Sequence, residues 1–231
     1  MRQPETVTQG WVALTDLTGK VLGHGELTQW FERRAVANRL LIRFDDGSLY
    51  DEELRFSQQG VFRLLSYRLV QRGPSFPTSV DVQFDRSGHY RARQRAPEAA
   101  EETESGTIVI PDDVSNGMTS TLLRNLPAGA SATTHLLAFT PKPRILDLHL
   151  TPEGSDAFSV GRITGKATRF LVEPRVAGVP GAVATIIGKQ PPSVRFWITP
   201  GRTPVFVRFE GPLYADGPPW RIEQAAPRWK P

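Results

Sequence analysis

The stretch Leu40-Leu41-Ile42-Arg43-Phe44-Asp45-Asp46-Gly47-Ser48-Leu49-Tyr50-Asp51-Glu52-Glu53-Leu54-Arg55-Phe56 decides the fold. Leu40, Ile42 and Phe44 share one face of an extended chain, and Arg39, Leu41 and Arg43 share the other. That alternation is the signature of a half-buried strand. Asp46-Gly47 is a turn signal. Beyond it Tyr50, Glu52, Leu54 and Phe56 alternate with Leu49, Asp51, Glu53 and Arg55. Two such runs around a short turn predict a β-hairpin.

The pattern continues outward. Val61, Arg63, Leu65, Tyr67 and Leu69 alternate with Phe62, Leu64, Ser66, Arg68 and Val70. Ser79 to Asp85 and Tyr90 to Arg95 follow, joined by short turns, which describes a meander. Upstream, Val21 to Phe31 predicts another strand, with Gly23 and Gly25 allowing a bulge or close approach. Trp11 to Leu17 predicts a shorter one. In the second half, strands are predicted at 131–140, 144–151, 158–161, 162–172, 183–188, 193–199 and 204–210. So many strands require one large curled sheet, a barrel or two packed layers.

The middle departs from this pattern. Residues 97–104 are acidic and read as an exposed loop, and Thr107 to Ile110 as a short β run. Met118, Leu122 and Leu126 then recur at four-residue spacing, predicting an amphipathic helix of about three turns. Ser115 or Asn116 is its expected N-cap, and Pro127 and Gly129 stop it. The expected class is mainly β: a curled antiparallel meander, half-barrel or barrel, with one short helix near the middle. Residues 1–211 are expected to form a single domain and the proline-rich residues 212–231 a C-terminal tail. Trp220 and Trp229 in that tail would either dock a partner or pin the tail to the barrel.

Composition narrows the function. The 231 residues include no cysteine, which removes disulfides, thiolate nucleophiles and thiolate metal sites. All-β domains of roughly 200–250 residues are commonly single units. Hydrophobic residues make up 39%, enough for a core, and the formal charge is +4. The arginines are scattered, whereas nucleic-acid binding gathers basic residues on one face, so no nucleic-acid partner is expected. No run approaches the about 18 apolar residues of a spanning helix, so no transmembrane span is expected. The N-terminus lacks the apolar core of a signal peptide.

The segment Ile108-Val109-Ile110-Pro111-Asp112-Asp113-Val114-Ser115-Asn116-Gly117-Met118, with Leu122-Leu123 after it, is the most distinctive. It lies between Ser66-Tyr67-Arg68-Leu69 upstream and Pro204-Val205-Phe206-Val207-Arg208-Phe209-Glu210-Gly211 downstream. This order, across residues 20–211, resembles uncharacterised bacterial proteins of the DUF3108 group. These in turn resemble the LolA/LolB-like half-barrel of lipoprotein carriers. The resemblance implies a curled sheet with an apolar hollow lined by a helix, and a periplasmic or envelope setting, with a cytoplasmic one left open. By extension it implies a lipid or a lipoprotein acyl chain as ligand. It carries no catalytic residue, and the chain has no lipobox cysteine.

The candidate ligand-binding residues are Leu65, Tyr67, Met118, Leu122, Leu126, Phe139, Phe170 and Trp197, since small-molecule pockets are mostly apolar with few polar groups. No catalytic residue, metal or cofactor is expected. His135, His149 and Asp147 lie on adjacent predicted strands and could meet, but no metal-ligand spacing supports a site. The acid groups 45/46, 51–53 and 112/113 read as solvated. Gly161 to Lys166 fails the phosphate-loop spacing, and no nucleophile elbow occurs. The leading expectation is a non-enzymatic binder of a hydrophobic or amphipathic ligand. Alternatives are an interaction or scaffolding module for an envelope component or cell-wall glycan, and a hydrolase on a β scaffold.

Overall fold

The computed structural model describes residues 2, 4–139, 142–176 and 192–226. Its first half is a meander of β1 (Thr8–Thr15), β2 (Val21–Glu32), β3 (Ala35–Phe44), β4 (Leu49–Gln59), β5 (Val61–Arg72), β6 (Ser79–Asp85), β7 (His89–Arg95) and β8 (Glu102–Thr107). One helix, α1 (Thr119–Asn125), follows. The second half comprises β9 (Ala132–Phe139), β10 (Pro143–Val160), β11 (Ile163–Val176), β12 (Val194–Ile198), β13 (Phe206–Gly211) and β14 (Trp220–Ala225). All fourteen strands form one antiparallel sheet in the order β8-β7-β6-β5-β4-β3-β2-β1-β14-β13-β12-β11-β10-β9. The two halves are thus joined through β1 and β14, and the sheet ends at β8 and β9.

The sheet curls so that its ends approach, and residues 108–118 bridge the seam. Ile108 N–H donates to Gly88 C=O at 3.0 Å on one side, and Ser115 N–H donates to His135 C=O at 2.9 Å on the other. Val114 and His135 make an isolated parallel bridge. The Asn116 side chain extends this pairing: Nδ2 donates to Leu137 C=O and Oδ1 accepts from Leu137 N–H, both at 2.9 Å. The open edge of β9 is thereby satisfied without a further strand.

This corrects the expected helix. It has seven residues, begins after Met118 with no side-chain cap, and ends at Leu126. Ser115 and Asn116 do not cap it because their side chains bond β9 instead. The polar strand β8 occupies 102–107, so the 97–104 loop and the 107–110 β run are both displaced. Pairing with basic β7 explains this: Glu104 faces Ala92 across the ladder and accepts from the neighbouring Tyr90 hydroxyl. Likewise 144–151 and 158–161 are one strand, irregular between Pro152 and Gly154. The expected tail is different too. Residues 220–225 are β14, paired with β1 and β13, and Trp220 is buried against Phe44, Phe76 and Tyr214. The expected strand 183–188 and Trp229 lie outside the described residues.

Three large apolar clusters pack inside the curled sheet. The first joins Val36, Phe56, Leu64 and Val82 of the first half to Val114, Met118 and Leu137. The second gathers Leu14, Ile42, Phe44, Phe76 and Trp220. The third packs Leu123 against Leu148, Leu150, Phe170 and Val172. Leu122 touches the first and third clusters, so the helix sits between the two curled halves.

At its far end the helix meets the N-terminal segment. Arg124 pairs at 2.6 Å with Glu5, which is 5% exposed and also accepts from Gln29 Nε2. On the outer face, arginines alternate with acids across strands: Arg39 with Asp51, Arg68 and Arg93 with Asp81, Arg221 with Glu210. Such pairs are worth little singly, but they explain why the basic residues are dispersed.

Candidate functional site

Where the three clusters meet, the interior is not filled. A cavity of about 300 Å³ remains, with walls from both halves of the sheet. Leu27, Leu40, Tyr50, Glu52 and Tyr67 face it from β2 to β5. Leu148, Val172, Phe196, Phe206 and Phe209 face it from β10 to β13, and Gly117, Thr119 and Ser120 approach from the helix start. The volume sits at the lower end of the roughly 300–1,000 Å³ typical of small-molecule pockets.

Close approach of the bridging segment shapes one wall. Gly117 adopts φ +70°, and a Cβ there would lie 2.8 Å from Leu54 Cδ2 and 3.3 Å from Glu52 Cδ. Only a residue without a side chain fits both the left-handed backbone and the space. Within the sheet, Gly25 lets β2 press on β3: a Cβ there would clash with the Leu41 carbonyl oxygen.

The polar centre is Glu52. Tyr67 donates its hydroxyl hydrogen to Glu52 Oε1 at 2.8 Å, and the Tyr50 side chain lines the same cavity beside it. Burial raises the Glu52 pKa, outweighing the two phenols, which oppose the shift. Burial also pushes both tyrosines well above the phenol range, reinforced by the Glu52 charge. Glu52 keeps some accessible surface, and that surface opens on the cavity. No Lys, Arg or His lines the cavity among the described residues.

Of the residues singled out in the sequence, Tyr67 lines this cavity. Met118, Leu122, Leu126, Phe139 and Phe170 do not line it; they pack in the first and third apolar clusters. Leu65 lies elsewhere, 36% exposed. The β4–β5 ladder shifts register between Arg55, opposite Ser66, and Phe56, opposite Leu64, leaving Leu65 as the extra residue. The bulge puts Leu64 and Tyr67 both inside, which strict alternation cannot do. Trp197 also lies away from the cavity, in a separate cluster with Phe158, Ala167 and Val207. Its indole N–H donates to Asp156 at 2.8 Å and Arg208 stacks on its ring.

The histidine group brings His135 and Asp147 together. His135 Nδ1 lies 2.6 Å from Asp113 Oδ1, and Nε2 lies 3.6 Å from Asp147 Oδ1. His149 sits across from Thr133, 3.4 Å from its hydroxyl. No cluster able to hold a metal ion occurs among the described residues.

Sequence reasoning passed over Glu52 by grouping it with Asp51 and Glu53 as solvated acids. The signal was present: Glu52 shares the inward face with Tyr50, Leu54 and Phe56.

No family model matches the chain, and no curated protein does. The resemblance to the DUF3108 group therefore rests on the residues quoted for it. Among solved structures, a β-barrel-like protein of DUF1849 from Brucella abortus shares 11% identity at a TM-score of 0.47, covering 95% of each chain. The hypothetical lipoprotein YmcC from Escherichia coli shares 12% identity at 0.44, covering 96% of this chain and 86% of its own. The chain is a mainly β protein built on one large, unclosed antiparallel sheet, with a single short helix among the described residues.

Proposed function

We propose that this protein binds a hydrophobic or amphipathic ligand, a lipid or an acyl chain, inside its curled sheet, and performs no chemistry on it. The supporting observation is the mostly apolar cavity between the two halves of the sheet, with the Glu52 carboxyl among the few polar groups that line it. A site mostly apolar with few convergent polar groups is the usual form of a small-molecule pocket. The periplasmic or envelope setting, and kinship with the LolA/LolB-like carriers, are part of the proposal and rest on the sequence resemblance. No helix among the described residues is long and apolar enough to cross a membrane.

Displacement of a neutral naphthylamine probe by decanol tests this reading. One decanol is expected to bind per chain. Leu148→Trp or Val172→Phe, each filling the cavity from a different strand, is expected to weaken binding at least tenfold. Undiminished binding in both folded variants would contradict it.

A further inference from the structure

The charge of the site goes beyond its shape. Glu52 carries the one carboxyl side chain among the described residues that line the cavity, and no cationic side chain lines it. Its carboxyl accepts from Tyr67 at 2.8 Å, and the Tyr50 phenol lines the cavity with it. A carboxylate offers about four acceptor positions, so the Tyr67 bond leaves room for further donors. The neighbours across the ladder are Leu40 on β3 and Leu69 on β5, and Gly117 covers the carboxyl from the bridging segment. The titratable groups that act on Glu52 are Tyr50 and Tyr67, and neither supplies positive charge.

We propose that the cavity selects amphiphiles with a protonated amine head, which seats against the Glu52 carboxylate while the chain lies along Leu40, Leu148 and Val172. This deepens the ligand-binding reading and rests on it. An ammonium head supplies the missing opposite charge and up to three donors. A fatty-acid head would place a second carboxylate beside the first, and like charges in one apolar site disfavour ionisation of both. Seating the amine favours the ionised form of Glu52, so binding expels a proton to solvent whenever the empty site holds one.

The test compares decylamine, decanol and decanoate as competitors for the neutral probe at pH 7, on wild type and on Glu52→Gln. Decylamine is expected to bind at least tenfold more tightly than decanoate, and Glu52→Gln to abolish that preference while decanol binding persists. Decylamine affinity is expected to rise with pH through the Glu52 titration, whereas decanol affinity stays flat. If Glu52→Gln does not fold, the wild-type preference and its pH dependence decide. Equal binding of amine and carboxylate, or a preference that survives Glu52→Gln, overturns the head-group assignment and leaves the cavity reading standing. If none of the three competitors displaces the probe, both fall.

Discussion

The side-chain amide of Asn116 stands in for a strand, making both backbone hydrogen bonds of Leu137 at 2.9 Å. Leu137 is 1% exposed, so neither of its groups reaches water if the amide is lost. A buried donor or acceptor left unpaired costs about 1–3 kcal/mol. Asn116→Ala is expected to lower unfolding free energy by about 2–4 kcal/mol, measured by urea titration. A loss below about 0.5 kcal/mol would mean the seam is not held there.

Arg124 and Glu5 test how the helix end is anchored. Glu5 is buried and Arg124 is its cationic partner at 2.6 Å. Removing one member of a buried pair costs about 3–5 kcal/mol because the other charge is stranded. Arg124→Met should therefore destabilise by that amount. Adding Glu5→Gln should recover a large part of it, and a double variant as unstable as the single would contradict the pairing.

Glu52 makes a pH-dependent contribution of definite sign. Burial raises its folded pKa above the unfolded value of about 4.5. The folded state thus holds this proton more tightly, and the stability it contributes is full at low pH and declines as pH climbs through the folded pKa. Asp81 behaves oppositely. Arg68 and Arg93 bond it and lower its pKa, so its contribution is lost in more acidic solution. The stability of Glu52→Gln relative to wild type should therefore increase from pH 4.5 upward. A flat difference would place Glu52 in contact with bulk water.

Chain length should be read by the cavity. Burying a methylene is worth about 0.8 kcal/mol, or about fourfold in affinity. Alkylamines are expected to tighten by roughly that factor per carbon until the cavity is full, and then to level off. Unlimited growth would indicate adsorption to an outer surface.

Much of this architecture could be read from residue order. The hairpin around Asp46-Gly47 and the inward set Leu40, Ile42 and Phe44 follow directly from period two. What escaped depended on contacts between distant segments. Strict alternation put Leu65 beside Tyr67, but a bulge separates them. Proline-rich composition read as a tail, but Trp220 and Ile222 are core residues of a strand held by β1 and β13. Ser115 and Asn116 read as helix caps because local bonding favours that, and their true partners are twenty-odd residues away on β9. Trp197 is aromatic and buried, as a pocket residue would be, but it faces a separate small cluster. Glu52 was visible as an acid on an apolar face, and that pattern outweighs the acidity of its neighbours.

Methyl-resolved NMR with a bound decyl ligand tests the central claim most directly. Methyl groups of Leu27, Leu40, Leu148, Val172 and Val194 should show contacts to the ligand chain, while the exposed Leu65 and Val61 show none. Contacts confined to outward-facing methyls, or none at saturating ligand, would contradict the account.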